Sequence, residues 1–194
     1  MKVAIVKYNA GNVQSLTFAL NRLGVEPVLS DDPDFLRSAD KVIFPGQGEA
    51  SSAMKSLKEK GLDQVLRNLH QPFLGVCLGM QLMCESSEEN NTECLGIIPQ
   101  RVHRFDSSEV KVPHMGWNDL HQLQSPLMEG ISEGDYLYFV HSYYVPVCEE
   151  TIAVSDYPMA FSAALNKNNY YAIQPHPEKS AEAGMKLLDN FLKL

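Results

Sequence analysis

The stretch Pro72-Phe73-Leu74-Gly75-Val76-Cys77-Leu78-Gly79-Met80-Gln81-Leu82-Met83 leaves this chain the fewest choices. Phe73, Leu74 and Val76 make a short apolar run of the kind that fills a parallel strand buried on both faces. Met80, Leu82 and Met83 continue it without a breaker and predict helix. Cys77 falls on the turn between the two, with Gly75 and Gly79 on either side. Gly-x-Cys-x-Gly is the cysteine counterpart of the nucleophile elbow, a reversal so tight that only residues without a side chain fit where its arms approach. Such a turn lifts the sulfur out of the sheet and sets it by the amide end of the next helix, where thiolate is favoured. A free cysteine is also at home as a small buried packing residue. The rest of the chain decides between the two.

The surrounding sequence keeps an α/β rhythm. Lys2 to Tyr8 predicts a first strand, Ala10-Gly11-Asn12 a turn with Asn12 as helix cap, and Val13, Leu16, Leu20 and Leu23 one apolar helix face ending at Gly24. Glu26 to Leu29 is a short strand, Ser30-Asp31-Asp32-Pro33 opens a short helix, and Lys41 to Phe44 is a third strand leading into Pro45-Gly46-Gln47-Gly48. Ala50 to Lys60 and Leu62 to Leu69 are helical. This predicts an open, mostly parallel sheet flanked by helices, with loops after the strand ends lining a ligand crevice. After Glu89 come short runs at Ile97 to Phe105, Tyr136 to Ser142, Thr151 to Asp156, Phe161 to Leu165 and Tyr170 to Ile173, expected as mixed and antiparallel additions to the sheet. A closing helix is expected over about Ala181 to Leu192, capped by Ser180 with Met185, Leu188 and Leu192 inward.

Length bounds the answer to one domain over residues 1–194. A net charge of −8 without a basic stretch argues against nucleic acid as partner. Met1 to Val6 enters a strand too soon for a signal peptide, and no later apolar run reaches membrane-spanning length, so a cytoplasmic protein without a membrane partner is expected. Cys77, Cys84, Cys94 and Cys148 lack Cys-x-x-Cys spacing, which signals neither a metal site nor a disulfide framework.

Far downstream, Gln174-Pro175-His176-Pro177-Glu178-Lys179-Ser180 lies between the last strand and the last helix. Its prolines disfavour helix at Gln174 and His176, and in an extended chain residues two apart face the same way. His176 and Glu178 then suit a base and the carboxylate that orients it. The glycines of Pro45 to Gly48 could turn main-chain amides towards a developing oxyanion, with the amide of Leu78 as second donor. A rigid His-Pro-Glu loop and a plain turn after a strand are the bland alternatives.

Taken together, Gly75 to Gln81, Pro-Gly-x-Gly upstream and His176-Pro177-Glu178 downstream resemble the class I (triad) glutamine amidotransferases, whose fold is flavodoxin-like. Pro113 to Asn118, Tyr138 to Tyr144 and Glu178-Lys179-Ser180 narrow the resemblance to the glutaminase subunits of imidazole glycerol phosphate synthase, in histidine biosynthesis. The resemblance implies that Cys77 attacks the side-chain amide of glutamine to give a thioester and ammonia, that His176 relays protons and that Glu178 orients it. It implies glutamine contacts at Gly46, Gly48, Leu78, Gln81, Glu89, Ser142 and Tyr143, and no cofactor. It also implies a heterodimer with a (β/α)8-barrel cyclase subunit, which would use the ammonia to make imidazole glycerol phosphate and AICAR, with Trp117, Asn118, Tyr138 and Lys179 at the interface. Two residues depart from the family pattern, Gln47 where a small apolar residue is common and Pro175 where phenylalanine is. In the family the loop holding Gln47 reorients when the partner is loaded, so the isolated subunit is expected to be nearly inactive. Two alternatives stay open: a related glutaminase with another partner, or a flavodoxin-like cysteine sensor without enzymatic activity.

Overall fold

The computed structural model describes residues 1–8 and 13–194; the expected turn and cap at Ala10 to Asn12 lie outside them. The first half alternates as the apolar pattern requires: β1 (Val3–Val6), α1 (Gln14–Arg22), β2 (Val28–Ser30), α2 (Pro33–Ser38), β3 (Lys41–Phe44), α3 (Ala50–Glu59), α4 (Leu62–Arg67), β4 (Phe73–Val76) and α5 (Leu78–Met83). Asp32 caps α2 by accepting from the Asp34 amide, and Gly24 follows α1 with φ +78°, a conformation glycine tolerates. β1, β3 and β4 are buried along their whole length, as central parallel strands are.

The second half holds β5 (Cys84–Ser87), β6 (Thr92–Glu93), β7 (Ile98–Arg104), β8 (His114–Asp119), β9 (Tyr136–His141), β10 (Tyr143–Tyr144), β11 (Thr151–Asp156), β12 (Ala160–Lys167), β13 (Tyr170–Ile173) and α6 (Ala181–Lys193). The main sheet runs in the order β11-β12-β13-β4-β3-β1-β2. β13 joins β4 in parallel, and β12 and β11 extend the sheet in antiparallel fashion, which are the expected additions. The other late strands do not join it. β10, β7, β5 and β6 form a separate sheet, and β8 pairs with β9 in an antiparallel ribbon. The helix after Cys77 is a short one, because Cys84 turns extended (φ −68°, ψ 176°) and starts β5.

Register places the site. Phe44 pairs with Gly75 and Ile173 with Val76, so β3, β4 and β13 end side by side, pointing the same way. Whatever follows Phe44, Val76 and Ile173 therefore meets at one sheet edge. In the same apolar cluster as Cys77, α6 buries Leu187, Leu188 and Phe191; Met185 and Leu192, expected inward, are only half-buried because the helix turns its Gly184 side against the segment before it.

Candidate active site

Cys77 is built as an elbow. Its φ of +53° and ψ of −110° are a conformation that costs a non-glycine residue energy, held here because its amide donates to Ile173 O at 2.8 Å and its carbonyl accepts from Gln81. The flanking glycines are required by packing: a Cβ on Gly79 would strike the Phe44 carbonyl, and one on Gly75 would strike the Met83 sulfur. A Cβ on Gly46 would strike the Gly79 amide nitrogen, so the Pro45 to Gly48 loop lies directly against the elbow. The Tyr8 hydroxyl holds the start of that loop by donating to Pro45 O. Leu78, as first residue of α5, has an amide with no helical acceptor.

His176 arrives from β13 and is 2% exposed. Its Nδ1 lies 2.8 Å from Glu178 Oε1, and the ring lines the same cleft as the Cys77 side chain. Burial opposes a charge on this ring, but the hydrogen bonds and negative charge of Cys77 and Glu178 outweigh it and raise the imidazole pKa to about 10. The reason given by sequence was half right. His176 is extended, but Glu178 sits in a 3-10 turn, Pro177–Lys179, which curls the carboxylate back to the ring. A sulfur, an imidazole and a carboxylate in this order can pass a proton from thiol to ring while the acid holds the ring in place.

A cleft of about 450 Å³ opens over the sulfur. Gly46, Gly48, Leu78, Gln81, Glu89, Ser142 and Tyr143, all seven expected substrate contacts, line it with Cys77, His176 and Lys179. Glu89 reaches it from a 3-10 turn after β5, set by its amide donating to Ser87 Oγ and its Oε2 accepting from the Ala50 amide at 2.7 Å. Burial raises its carboxyl pKa, the Ala50 amide pulls against this, and nearby Glu49 adds to it. Gln81 has its amide nitrogen committed, donating to Tyr143 O and Gln174 Oε1, both at 3.0 Å.

Of the expected interface residues, Trp117 (52% exposed) pairs across the β8–β9 ribbon with Tyr138, their rings 6.0 Å apart and edge-on, and the ammonium of Lys179 lies 5.9 Å from the Tyr138 ring. Met115 and Tyr136 add exposed apolar surface to this ribbon. Asn118 does not share that face, since its amide donates to Asp156 O at 2.9 Å within the chain.

Sequence reasoning missed Gln174, whose Nε2 lies 3.6 Å from Cys77 Sγ. The signal was present, because the two-apart argument that pairs residues of an extended segment also applies to 174 and 176. It also misread Ser180. Rather than capping α6, its hydroxyl accepts from the Tyr138 amide and donates to His176 O. Among the described residues no group of three or more His, Cys, Asp or Glu is arranged to hold a metal, and no helix is long and apolar enough to cross a membrane.

Residues 5–194 match the glutamine amidotransferase class-I family, and solved structures share the fold. One described as glutamine amidotransferase superposes with TM-score 0.75 at 20% identity, covering 100% of this chain and 98% of its own. PurLQS from Thermotoga maritima gives 0.72 at 17%, covering 99% and 97%. The chain belongs to the class I glutamine amidotransferases. Its sequence relatives narrow the family further: the imidazole glycerol phosphate synthase subunit HisH of Bacteroides fragilis is 57% identical over the whole of both chains, and so is that of Bacteroides thetaiotaomicron. The HisH subunit of Colwellia psychrerythraea is 46% identical, covering 100% of this chain and 93% of its own.

Proposed function

We propose that this chain is the glutaminase subunit of an imidazole glycerol phosphate synthase, and that Cys77, His176 and Glu178 are its catalytic residues. His176 takes the thiol proton as Sγ attacks the side-chain carbonyl carbon of glutamine. Main-chain amides of Leu78 and of the Gly46 to Gly48 loop stabilise the oxyanion. The tetrahedral intermediate collapses to a thioester as His176 returns the proton to the leaving ammonia. A water deprotonated by His176 then attacks the thioester, releasing glutamate and restoring the thiol. Glu89, an acceptor at the cleft wall, suits the ammonium of the substrate. Ammonia released into water would be protonated and lost, so it passes to a (β/α)8-barrel cyclase docked on the face of Trp117, Tyr138 and Lys179, in the cytoplasm.

The observation that carries this reading is one buried ring, held by a carboxylate, that faces the same cleft as the elbow sulfur. The test mixes the chain with a barrel cyclase and follows synthesis from glutamine and from ammonium salt. Cys77→Ala is expected to abolish the first and spare the second. Glutamine use that survives the substitution ends the proposal.

A further inference from the structure

Two runs of side-chain hydrogen bonds, one from β8 and one from the elbow sulfur, meet as donors on a single main-chain carbonyl, that of Tyr143, and main-chain carbonyls fix the direction of both. The Asn118 amide nitrogen donates to Asp156 O at 2.9 Å, so nitrogen rather than oxygen also faces His114 Nε2, at 3.4 Å. That ring nitrogen is then the acceptor. The proton of His114 sits on Nδ1, which is 2.9 Å from His141 Nε2. His141 in turn carries its proton on Nδ1, 2.8 Å from the carbonyl of Tyr143, a group that can only accept. Both rings are buried, 4% and 5% exposed, and His114 is stacked between Phe139 and Tyr157 at centroid distances of 5.2 and 4.0 Å. Burial depresses both, His114 to a pKa of about 4 and His141 to about 3, so each is neutral at pH 7 and can play one donor and one acceptor.

The same Tyr143 carbonyl fixes the other half. Gln81 Nε2 donates to it, and its second hydrogen goes to Gln174 Oε1. With the oxygen of Gln174 so committed, the nitrogen of Gln174 faces Cys77 Sγ at 3.6 Å. Gln174 is fully buried. An N–H aimed at sulfur stabilises thiolate more than thiol, since hydrogen bonds to a charged acceptor are the stronger ones.

We propose that Gln174 is a further catalytic residue of this enzyme, the hydrogen-bond donor to the nucleophilic sulfur, and that Gln81, His141 and His114 are positioning residues that hold its amide in that orientation. The proposal rests on the reading of Cys77 as nucleophile and adds a donor that favours its thiolate once His176 has taken the proton. It also gives the histidines of Pro113-His114-Met115 and Val140-His141-Ser142 a task apart from substrate contact.

The test reads the sulfur without glutamine. The rate of Cys77 alkylation by iodoacetamide, measured by mass spectrometry across pH on the complete chain, gives the midpoint of thiolate formation. Gln174→Glu keeps an oxygen for Gln81 and replaces the donor at sulfur with an acceptor, leaving His176 and Tyr8, the neighbouring titratable groups, in place. The midpoint is expected to rise by about one pH unit, with glutaminase kcat in the cyclase complex down at least about tenfold and KM changed less than about threefold. His114→Phe keeps the ring stack and removes the donor to His141. It is expected to shift the midpoint the same way by less, and to add nothing to Gln174→Glu in the double variant. Gln174→Met serves if the glutamate variant does not fold. NMR of the unsubstituted chain, by long-range proton–nitrogen correlation, is expected to find both rings neutral with the proton on Nδ1. An unmoved midpoint, an effect on KM alone, or a proton on His141 Nε2 overturns the proposal. Because alkylation needs no turnover, those results leave the glutaminase reading intact, whereas a Cys77→Ala complex that still uses glutamine removes the reading itself.

Discussion

The main-chain amide of His176 donates to the carbonyl of Tyr138 at 2.9 Å, so the residue that follows β13 is stitched to β9. Ser180 doubles the stitch, its hydroxyl bonded to the Tyr138 amide at 2.9 Å and to His176 O. The Tyr138 ring meanwhile packs edge-on to exposed Trp117. Pressure on that exposed face thus bears on the strand that carries the histidine's anchor. Backbone bonds of this kind can pass a small displacement from that exposed face to the histidine.

Ser180→Ala removes the second stitch and leaves a part-buried amide unpaired. It is expected to cost about 1–3 kcal/mol in urea unfolding and to lower glutaminase kcat roughly tenfold with KM little changed. A variant with wild-type kcat would show that Ser180 only fills space.

Gly184 allows α6 to lie against the His-Pro-Glu turn, since a Cβ there would strike the Pro177 carbonyl. Gly184→Ala, ordinarily favourable in a helix, is expected to destabilise by about 1–3 kcal/mol and to push Glu178 off the His176 ring. Gly96→Ala is the control: open space surrounds it, and only its φ of +66° opposes the substitution, at about 1 kcal/mol. Equal effects at the two positions in thermal melts would refute the packing argument.

Stability should depend on pH in two separate windows. His114 and His141 have folded pKa values below the unfolded 6.5, so their contribution is present above pH 6.5 and is lost as pH falls through about 4 and about 3. The loss is expected to be on the order of 3 kcal/mol for each ring. His176 has the opposite sign: raised to about 10, it stabilises fully below pH 6.5, and that contribution is lost as pH rises through about 10. Urea midpoints followed from pH 4 to 10 check both, and Glu178→Gln should flatten only the alkaline limb.

Trp117→Ala is expected to leave the melting temperature within about 2 °C, because the side chain is half exposed, while weakening titrated binding to the cyclase by about 10- to 100-fold. Unchanged affinity would move the docking face elsewhere.

The elbow was legible because it depends on local chemistry: a buried apolar strand, two glycines and a cysteine between them. The parallel core was legible from the same apolar runs, Val3 to Val6, Lys41 to Phe44 and Phe73 to Val76. β8 was not read as a strand because its apolar alternation is only two residues long, Met115 and Trp117, both exposed and separated by Gly116 at φ +143°. The end of α5 was hidden because Cys84 and Ser87 are buried by strand pairing with β7, a contact no window of sequence contains. Ser180 misled because serine before a helix is ordinarily a cap, and only the distant strand β9 offers it a better partner.

The position of β4 between β3 and β13 carries a consequence for biosynthesis. Its neighbours enter the sheet from far apart in the chain, since Leu74 pairs with Ile43 on one side and Tyr171 on the other. During translation the polypeptide that already holds Cys77 lacks His176, and the two meet only when the last strand slots into the middle of the sheet. Assembly of the pair of sulfur and imidazole is thereby tied to near-completion of folding.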